Sequence, residues 1–268
     1  MKESNKSFEN SSKFSFRMFD NKKSTTVLLL HGFLGSQHIW DNMIKDLSDH
    51  FNILTIDLPG HGDTPSNQEI LYMNEIANSV ISFAQGMMLK QFHVVGHSMG
   101  GYIGLEILYQ HPEKIESLTL LNSTAMADSE QKKADRLRAV KVFELSPAIY
   151  VKEAIANLFY SVNLEKFPEQ VSLLQQIALH ADPKGAQACL RGMRERKDFV
   201  ELINNTSIPV QYLSGIHDNT VPYDGIVNQI KSSEVKLVSF EQSGHMSFVE
   251  ERDKCVSAIV NFINKIGS

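Results

Sequence analysis

The stretch that decides the fold is FHVVGHSMGGYIG, Phe92 to Gly104. The apolar run from Phe92 to Val95 reads as a buried strand, and from Met99 onward apolar residues return at helical spacing. Between the two, Gly96, Gly100 and Gly101 surround a single serine, Ser98. That pattern signals a very tight strand-to-helix turn, where side chains two positions either side of the projecting residue would collide with neighbouring backbone. Gly96 to Gly100 matches G-x-S-x-G, and the flanking strand and helix are the context in which the motif lifts a serine nucleophile clear of the sheet. The helix start behind Ser98 favours a nearby anion.

Outward from this turn the chain alternates. TTVLLL (Thr25 to Leu30) is a continuous apolar run, as expected of a strand covered on both faces. FSFRMF before it and FNILTID after it also read as strands. Ile39, Trp40, Met43, Ile44 and Leu47 mark a helix, with Ser36 as its N-cap. A helix over Ile70 to Met88 precedes the central strand, and the helix after Ser98 stops at Pro112. IESLTLLN, PVQYLSG and VKLVSFE read as further strands, with a helical stretch near Tyr223 to Lys231. SFVEERDKCVSAIVNFINKI closes the chain as one amphipathic helix, with Ser247 and Glu250 at capping-box spacing. Strands alternating with helices predict an α/β fold, a mostly parallel doubly wound sheet. The alternation fails once, from about Ser123 to Thr206, where helical patterns occur without a strand. The expected organisation is a core of residues 1–122 and 206–268, with a helical cap insertion over 123–205 lying above the sheet.

A serine hydroxyl needs a base. Among ten histidines, His245 sits in FEQSGHMSFVEE, in a loop between the last strand and the terminal helix, where it reaches the carboxyl edge of the sheet. His97 adjoins Ser98, but neighbours on a tight turn diverge. His31 and His61, in glycine-bearing loops, read as structural. The base in turn needs a carboxylate to orient it. Asp218, in YLSGIHDNTVP, follows a strand directly. Its rival Asp57, also at a strand end, reads as holding its own glycine-rich loop together. The developing oxyanion requires backbone donors, for which Met99 N–H and Phe33 N–H, the latter in LLLHGFLGS, are the candidates.

Composition narrows the function classes. A net charge of -5 and the lack of a long basic run exclude a nucleic-acid footprint. No segment reaches the roughly 20 apolar residues of a membrane span, and the polar start MKESNKSFENSSKFSFRMFD has no apolar run of signal-peptide length. Cys189 and Cys255 lack CxxC spacing and read as buried thiols. Cytoplasmic residence is the resulting expectation. No cofactor or metal is called for; a zinc site built from His31 and His61 lacks a ligand cluster of useful spacing.

LLLHGFLGS, DLPGHGDT, GHSMGG, and the pair SGIHDNTVP and SGHMSFVE occur in an order that closely resembles the α/β-hydrolase superfamily, over about Phe14 to Ser123 and Thr206 to Ile266. The order Ser98, Asp218, His245 is that family's. The resemblance implies an α/β-hydrolase fold, a Ser-Asp-His triad, and a cap that roofs the site. Serine at the nucleophile position argues against haloalkane dehalogenases and epoxide hydrolases, which use aspartate there. GHSMGG is nearer to carboxylesterases than to carbon–carbon bond hydrolases. HGFLGS and DLPGHG are also similar to a menaquinone-pathway enzyme that eliminates pyruvate.

The expected function is therefore a serine hydrolase of carboxylic esters of small to medium acyl groups, with a small-molecule ester as its partner. The alternatives are a carbon–carbon hydrolase or pyruvate-eliminating lyase of a carboxylated substrate, and a ligand-binding receptor with slow turnover. Arg136, Arg138, Arg191, Arg194 and Arg196 of the insert, interspersed with acidic residues, read as a solvated helix face; selection of a carboxylate-bearing substrate is the competing reading.

Overall fold

The computed structural model describes residues 14–266. Most of the polar leader lies outside the described residues. Seven strands form one sheet: β1 (Phe16–Phe19), β2 (Thr26–Leu30), β3 (Asn52–Ile56), β4 (Phe92–His97), β5 (Ile115–Leu121), β6 (Val210–Gly215) and β7 (Lys236–Phe240). Their spatial order is β1-β3-β2-β4-β5-β6-β7. Only β1 is antiparallel, paired along β3 from Phe16 opposite Ile56; the other pairs are parallel.

Eleven α-helices are described: α1 (Asp41–Ser48), α2 (Met73–Gly86), α3 (Met99–Gln110), α4 (Glu130–Leu145), α5 (Pro147–Leu158), α6 (Pro168–His180), α7 (Pro183–Arg194), α8 (Val200–Asn205), α9 (Tyr223–Gln229), α10 (Ser247–Glu250) and α11 (Arg252–Ile266). Five of them, α4 to α8, lie between β5 and β6, and no strand is described there.

The strand alternation of period two divides the core. Leu28, Leu30 and Val94 pack with α2 and α3, while Val27, Leu29 and Val95 pack with α1 and α11. Every residue of β2, β3, β4 and β6 is buried, the expected consequence of helices on both faces. The chain passes from β2 to β3 on one side of β2 and returns to β4 on the other. The strand order therefore reverses between β2 and β4, and the crevice outside the carboxyl ends of those strands is where such sheets take ligands. The Gly32–Phe33 turn follows β2 at that point, and Ser98 follows β4.

Three local expectations differ from the structure. Ser36 does cap, its hydroxyl accepting from His38 N at 3.2 Å, but the turn it starts is a 3₁₀ segment, Gln37–Trp40, that leads into α1. The helix expected from Ile70 begins at Met73. The terminal segment is two helices, broken at Glu251 with φ -131° and ψ 52°, and the Ser247–Glu250 capping box does not form. Ser247 Oγ turns back to Gly244 O at 3.4 Å, and the Glu250 carboxylate is engaged elsewhere.

The glycines of the central turn are required by close approach. A Cβ at Gly96 would sit inside the Gly100 carbonyl, and one at Gly100 inside the Leu30 carbonyl. Gly100→Ala must push α3 from β2, and the expected result is a loss of about 2 kcal/mol or more, in the range of core overpacking, read as a lowered urea midpoint. An unchanged midpoint would contradict this packing.

Candidate active site

Ser98 sits at φ 51° and ψ -113°, outside the regions that non-glycine residues ordinarily use. Its conformation is held from three directions. Ser98 N donates to Leu121 O at 3.0 Å, Gly101 N to Ser98 O at 2.9 Å, and the Ser123 hydroxyl to Ser98 O at 2.7 Å. Two other residues of positive φ border the same crevice, Leu34 at 59° and Asn122 at 46°. Strain of this kind persists only where the surroundings over-determine it.

Asp218 and His245 meet directly. His245 Nδ1 donates to Asp218 Oδ2 at 2.7 Å, with both side chains almost fully buried. Asp218 Oδ1 accepts from Thr220 N and Val221 N, each at 2.8 Å, and Oδ2 also accepts from Asn122 Nδ2 at 3.1 Å. Burial alone would raise the Asp218 carboxyl, but the His245 ring and the two backbone donors outweigh it and hold it below the usual carboxylate range. With Nδ1 donating, Nε2 of His245 is the nitrogen left to face a substrate. Ser98 and His245 line one cavity of about 300 Å³, together with Phe33 and His97. No hydrogen bond joins the Ser98 hydroxyl to His245 among the described residues. The Phe33 and Met99 N–H groups have no acceptor among the described residues, and both residues adjoin this crevice.

Asp57 is engaged where its own loop begins. Its carboxylate accepts from Gln37 N at 2.7 Å, Gln37 Nε2 at 3.1 Å and Asp63 N at 3.0 Å. His31 donates through Nδ1 to Gly32 O at 2.8 Å and accepts at Nε2 from Leu58 N at 2.9 Å, tying the Phe33 turn to the same loop. Among the described residues no cluster of three or more His, Cys, Asp or Glu could hold a metal ion. Cys189 and Cys255 are free and buried.

Four residues hold the His245 loop through contacts that the sequence does not reveal. His97 lines the same cavity as Ser98, and its Nε2 donates to the His245 carbonyl at 3.0 Å. Asn122 Nδ2 donates to Gly244 O at 3.0 Å as well as to Asp218. His245 N donates to Leu158 O at 2.7 Å, at the end of α5. The Glu250 carboxylate accepts from Gly244 N at 2.8 Å, Tyr160 N at 2.8 Å and Asn163 Nδ2 at 2.9 Å. The insert between β5 and β6 is thus fastened to the histidine loop. The only early signal was Asn122 itself, a residue tolerant of positive φ at a strand's carboxyl end.

The arginines divide. Arg138 is exposed and pairs with Asp135, Arg194 pairs with Glu195 at 3.8 Å, and Arg191 reaches Glu69 O and Gln187. Arg136 and Arg196 are not solvated: both converge on the buried Asp128, because α4, α7 and the following turn fold together over Tyr102.

A larger groove of about 800 Å³ lies at the amino ends of β6 and β7 beside α11, far from these groups. No helix among the described residues is long and apolar enough to cross a membrane.

With this geometry in view, the family described by the alpha/beta hydrolase fold matches residues 25–252, and the chain belongs to it. Monoacylglycerol lipase ABHD6 of Bos taurus is 25% identical, over 95% of this chain and 80% of that protein. A thermophilic esterase from Thermogutta terrifontis, solved with malate bound, superposes with a TM-score of 0.89 at 25% identity, covering 95% of this chain and 94% of its own. The enol-lactonase from Burkholderia xenovorans LB400 shares the fold, with a TM-score of 0.87 at 19% identity over 94% and 96% of the two chains. The chain is a hydrolase-family member with esterase and lipase relatives.

Two outcomes test the site's electrostatics and its scaffold. Burial holds His31 at about 4, and His61 and His97 at about 3, against 6.5 for a free imidazole. Below pH 6.5 the unfolded chain therefore binds protons that the folded one refuses, so stability is full above 6.5 and falls toward pH 4. Each histidine withdraws on the order of a few kcal/mol by pH 4. Asp218, depressed, adds its loss only below about 3.9. The melting midpoint should be flat above pH 7 and drop between 6.5 and 4, with a shallower drop in His97→Asn. A midpoint level down to pH 4 would oppose this.

The second outcome concerns Glu250. Both of its oxygens accept from N–H donors, so the amide of Glu250→Gln must turn its NH₂ toward one of them. The expected cost is about 1–3 kcal/mol in urea unfolding; no change would show that the strap contributes nothing.

Proposed function

We propose that the chain is a serine hydrolase that cleaves carboxylic esters of small to medium acyl groups through an acyl-enzyme. The observation that carries this reading is the buried Asp218–His245 pair at 2.7 Å, opening on the same cavity as the strained Ser98. Ser98 Oγ attacks the ester carbonyl while His245 Nε2 takes its proton. Asp218 holds the imidazole in the Nδ1–H tautomer and stabilises the imidazolium. The carbonyl oxygen, now negative, receives the Phe33 and Met99 N–H groups, aided by the positive end of α3. The intermediate collapses, and His245 returns the proton to the departing alcohol. The same imidazole then deprotonates water, which attacks the acyl carbon, and Ser98 regains its hydrogen as the acid leaves.

The cavity supports the size class. At about 300 Å³ it stands at the small end of ligand pockets, and Leu34, Ile155 and Leu158 give it an apolar wall. The helices α4 to α8 act as a cap over residues 123–205, with α4, α5 and α7 supplying lining residues on the side facing Ser98. Two of the similar proteins carry the names monoacylglycerol lipase and esterase, which favours ester cleavage over carbon–carbon cleavage. The substrate is a small molecule.

A fluorophosphonate probe combined with an ester panel tests the proposal. The expected result is one label on Ser98, multiple turnover of para-nitrophenyl esters, and loss of both in Ser98→Ala. Asp218→Asn should keep substrate binding and lower kcat by about 10⁴-fold, as for loss of the orienting carboxylate in other triads. Turnover retained by Ser98→Ala would remove the nucleophile. Labelling without turnover would favour a receptor, and a vinylogous 1,5-diketone cleaved in preference to every ester would favour the carbon–carbon reaction.

A further inference from the structure

The cap contributes more than apolar lining. Asp128, whose side chain is 1% exposed, lies between two guanidinium groups. Arg136 approaches it with Nε at 2.5 Å and Nη2 at 3.3 Å, and Arg196 through Nη1. One carboxylate cannot neutralise two cations, and the arginine side chains expose only 12% and 6%. Holding a surplus charge in such surroundings is costly unless a further partner arrives.

Arg196 has other partners. It lies over the Tyr102 ring at 4.2 Å and donates Nη2 to Met126 O at 2.9 Å. Arg136 is the member of the pair that lines the Ser98 cavity. Asp128 takes two of its donors, the Tyr102 phenol is a further hydrogen-bond partner of the guanidinium, and Nη1 lies on the Met193 thioether at 3.3 Å, a weak acceptor. Two other charged groups line this wall. Lys132 Nζ spends one of its three donors on Thr220 O at 3.0 Å, and the Asp135 carboxylate pairs with Arg138 and accepts from Gln131.

We propose that Arg136 is a specificity residue of the Ser98 site, receiving a carboxylate carried by the substrate at a distance from the scissile ester. The inference rests on the hydrolase reading above and narrows its substrate class to anionic esters. Asp128 is the positioning residue: its two contacts fix the plane of the guanidinium, so the fork is pre-aimed and loses little freedom when the anion binds. Arg136 is carried on α4 and faces Met193 on α7, so the cap delivers the charge and the sheet delivers the nucleophile.

The test uses two esters of equal chain length, para-nitrophenyl hexanoate and the mono-para-nitrophenyl ester of adipic acid, which differ by the terminal carboxylate. In the wild-type protein kcat/KM for the adipate ester should exceed that for the hexanoate ester by about tenfold or more, the gain of one charge-assisted hydrogen-bonded contact. Adipate should also inhibit hexanoate-ester cleavage competitively and more strongly than hexanoate does. In Arg136→Met the adipate-to-hexanoate ratio should fall by about 10–100-fold, with Arg136→Lys in between. Arg196 still pairs Asp128 in these variants, and the wild-type ratio needs no variant at all.

A wild-type ratio at or below one, with adipate no better an inhibitor than hexanoate, would overturn the proposal. So would a ratio unaltered in a folded Arg136→Met. If both esters are cleaved and Ser98 is labelled, such a result removes the anion subsite alone. If neither ester is cleaved and Ser98 is not labelled, the hydrolase reading falls and takes this one with it.

Discussion

The hydrogen bond between His245 Nδ1 and Asp218 Oδ2 is the contact on which the rest of the site depends. It joins two loops that leave different strands, β6 and β7, and fixes which imidazole nitrogen is free. A buried carboxylate is expensive unless its lone pairs are filled. Here Thr220 N, Val221 N and Asn122 fill them, so the charge remains available to the imidazole. The histidine is as firmly placed as the acid. Its carbonyl is held by His97, its N–H by Leu158, and the preceding glycine by Glu250 and Asn122. Glu250 and Leu158 also belong to contacts with the helices above, so the roof of the cavity and the imidazole share one scaffold.

Strain is concentrated at the same place. Ser98, Leu34 and Asn122 are three of the five non-glycine residues with positive φ among those described, and each stands at a carboxyl end where β2, β4 or β5 gives way to a loop. The glycines around Ser98 do not relieve its conformation; they make room for it by letting α3 close on β2 and β4. The reversal of strand order between β2 and β4 supplies the crevice, and the turn after β2 brings Phe33 to its edge.

Much of this was legible in the sequence, for physical reasons that differ by element. The strands were legible because burial on both faces forces continuous apolar runs, as in TVLLL. Ser98 was legible because its turn needs glycines at fixed offsets, and the positions of Asp218 and His245 followed from where loops meet strand ends. The capping box at Ser247 and Glu250 failed because a local pattern lost to distant partners: Glu250 bonds Tyr160 and Asn163, far away in sequence. The contacts of His97, Asn122 and Arg136 are hidden in the sequence for the same reason. A histidine beside a nucleophile, an asparagine ending a strand and an arginine on a charged helix look ordinary until the fold shows what they face. The five arginines, read together as one solvated face, separate in the structure according to whether Asp128 is within reach.

The most direct measurement is the proton NMR spectrum of the imidazole N–H groups. A buried Nδ1–H shared with a carboxylate at this distance should give a strongly downfield resonance, sheltered from exchange, that disappears in Asp218→Asn while the remaining spectrum stays that of a folded protein. A folded wild-type protein without such a resonance at any pH, or one whose resonance survives Asp218→Asn, would contradict the pairing from which the chemistry at Ser98 is derived.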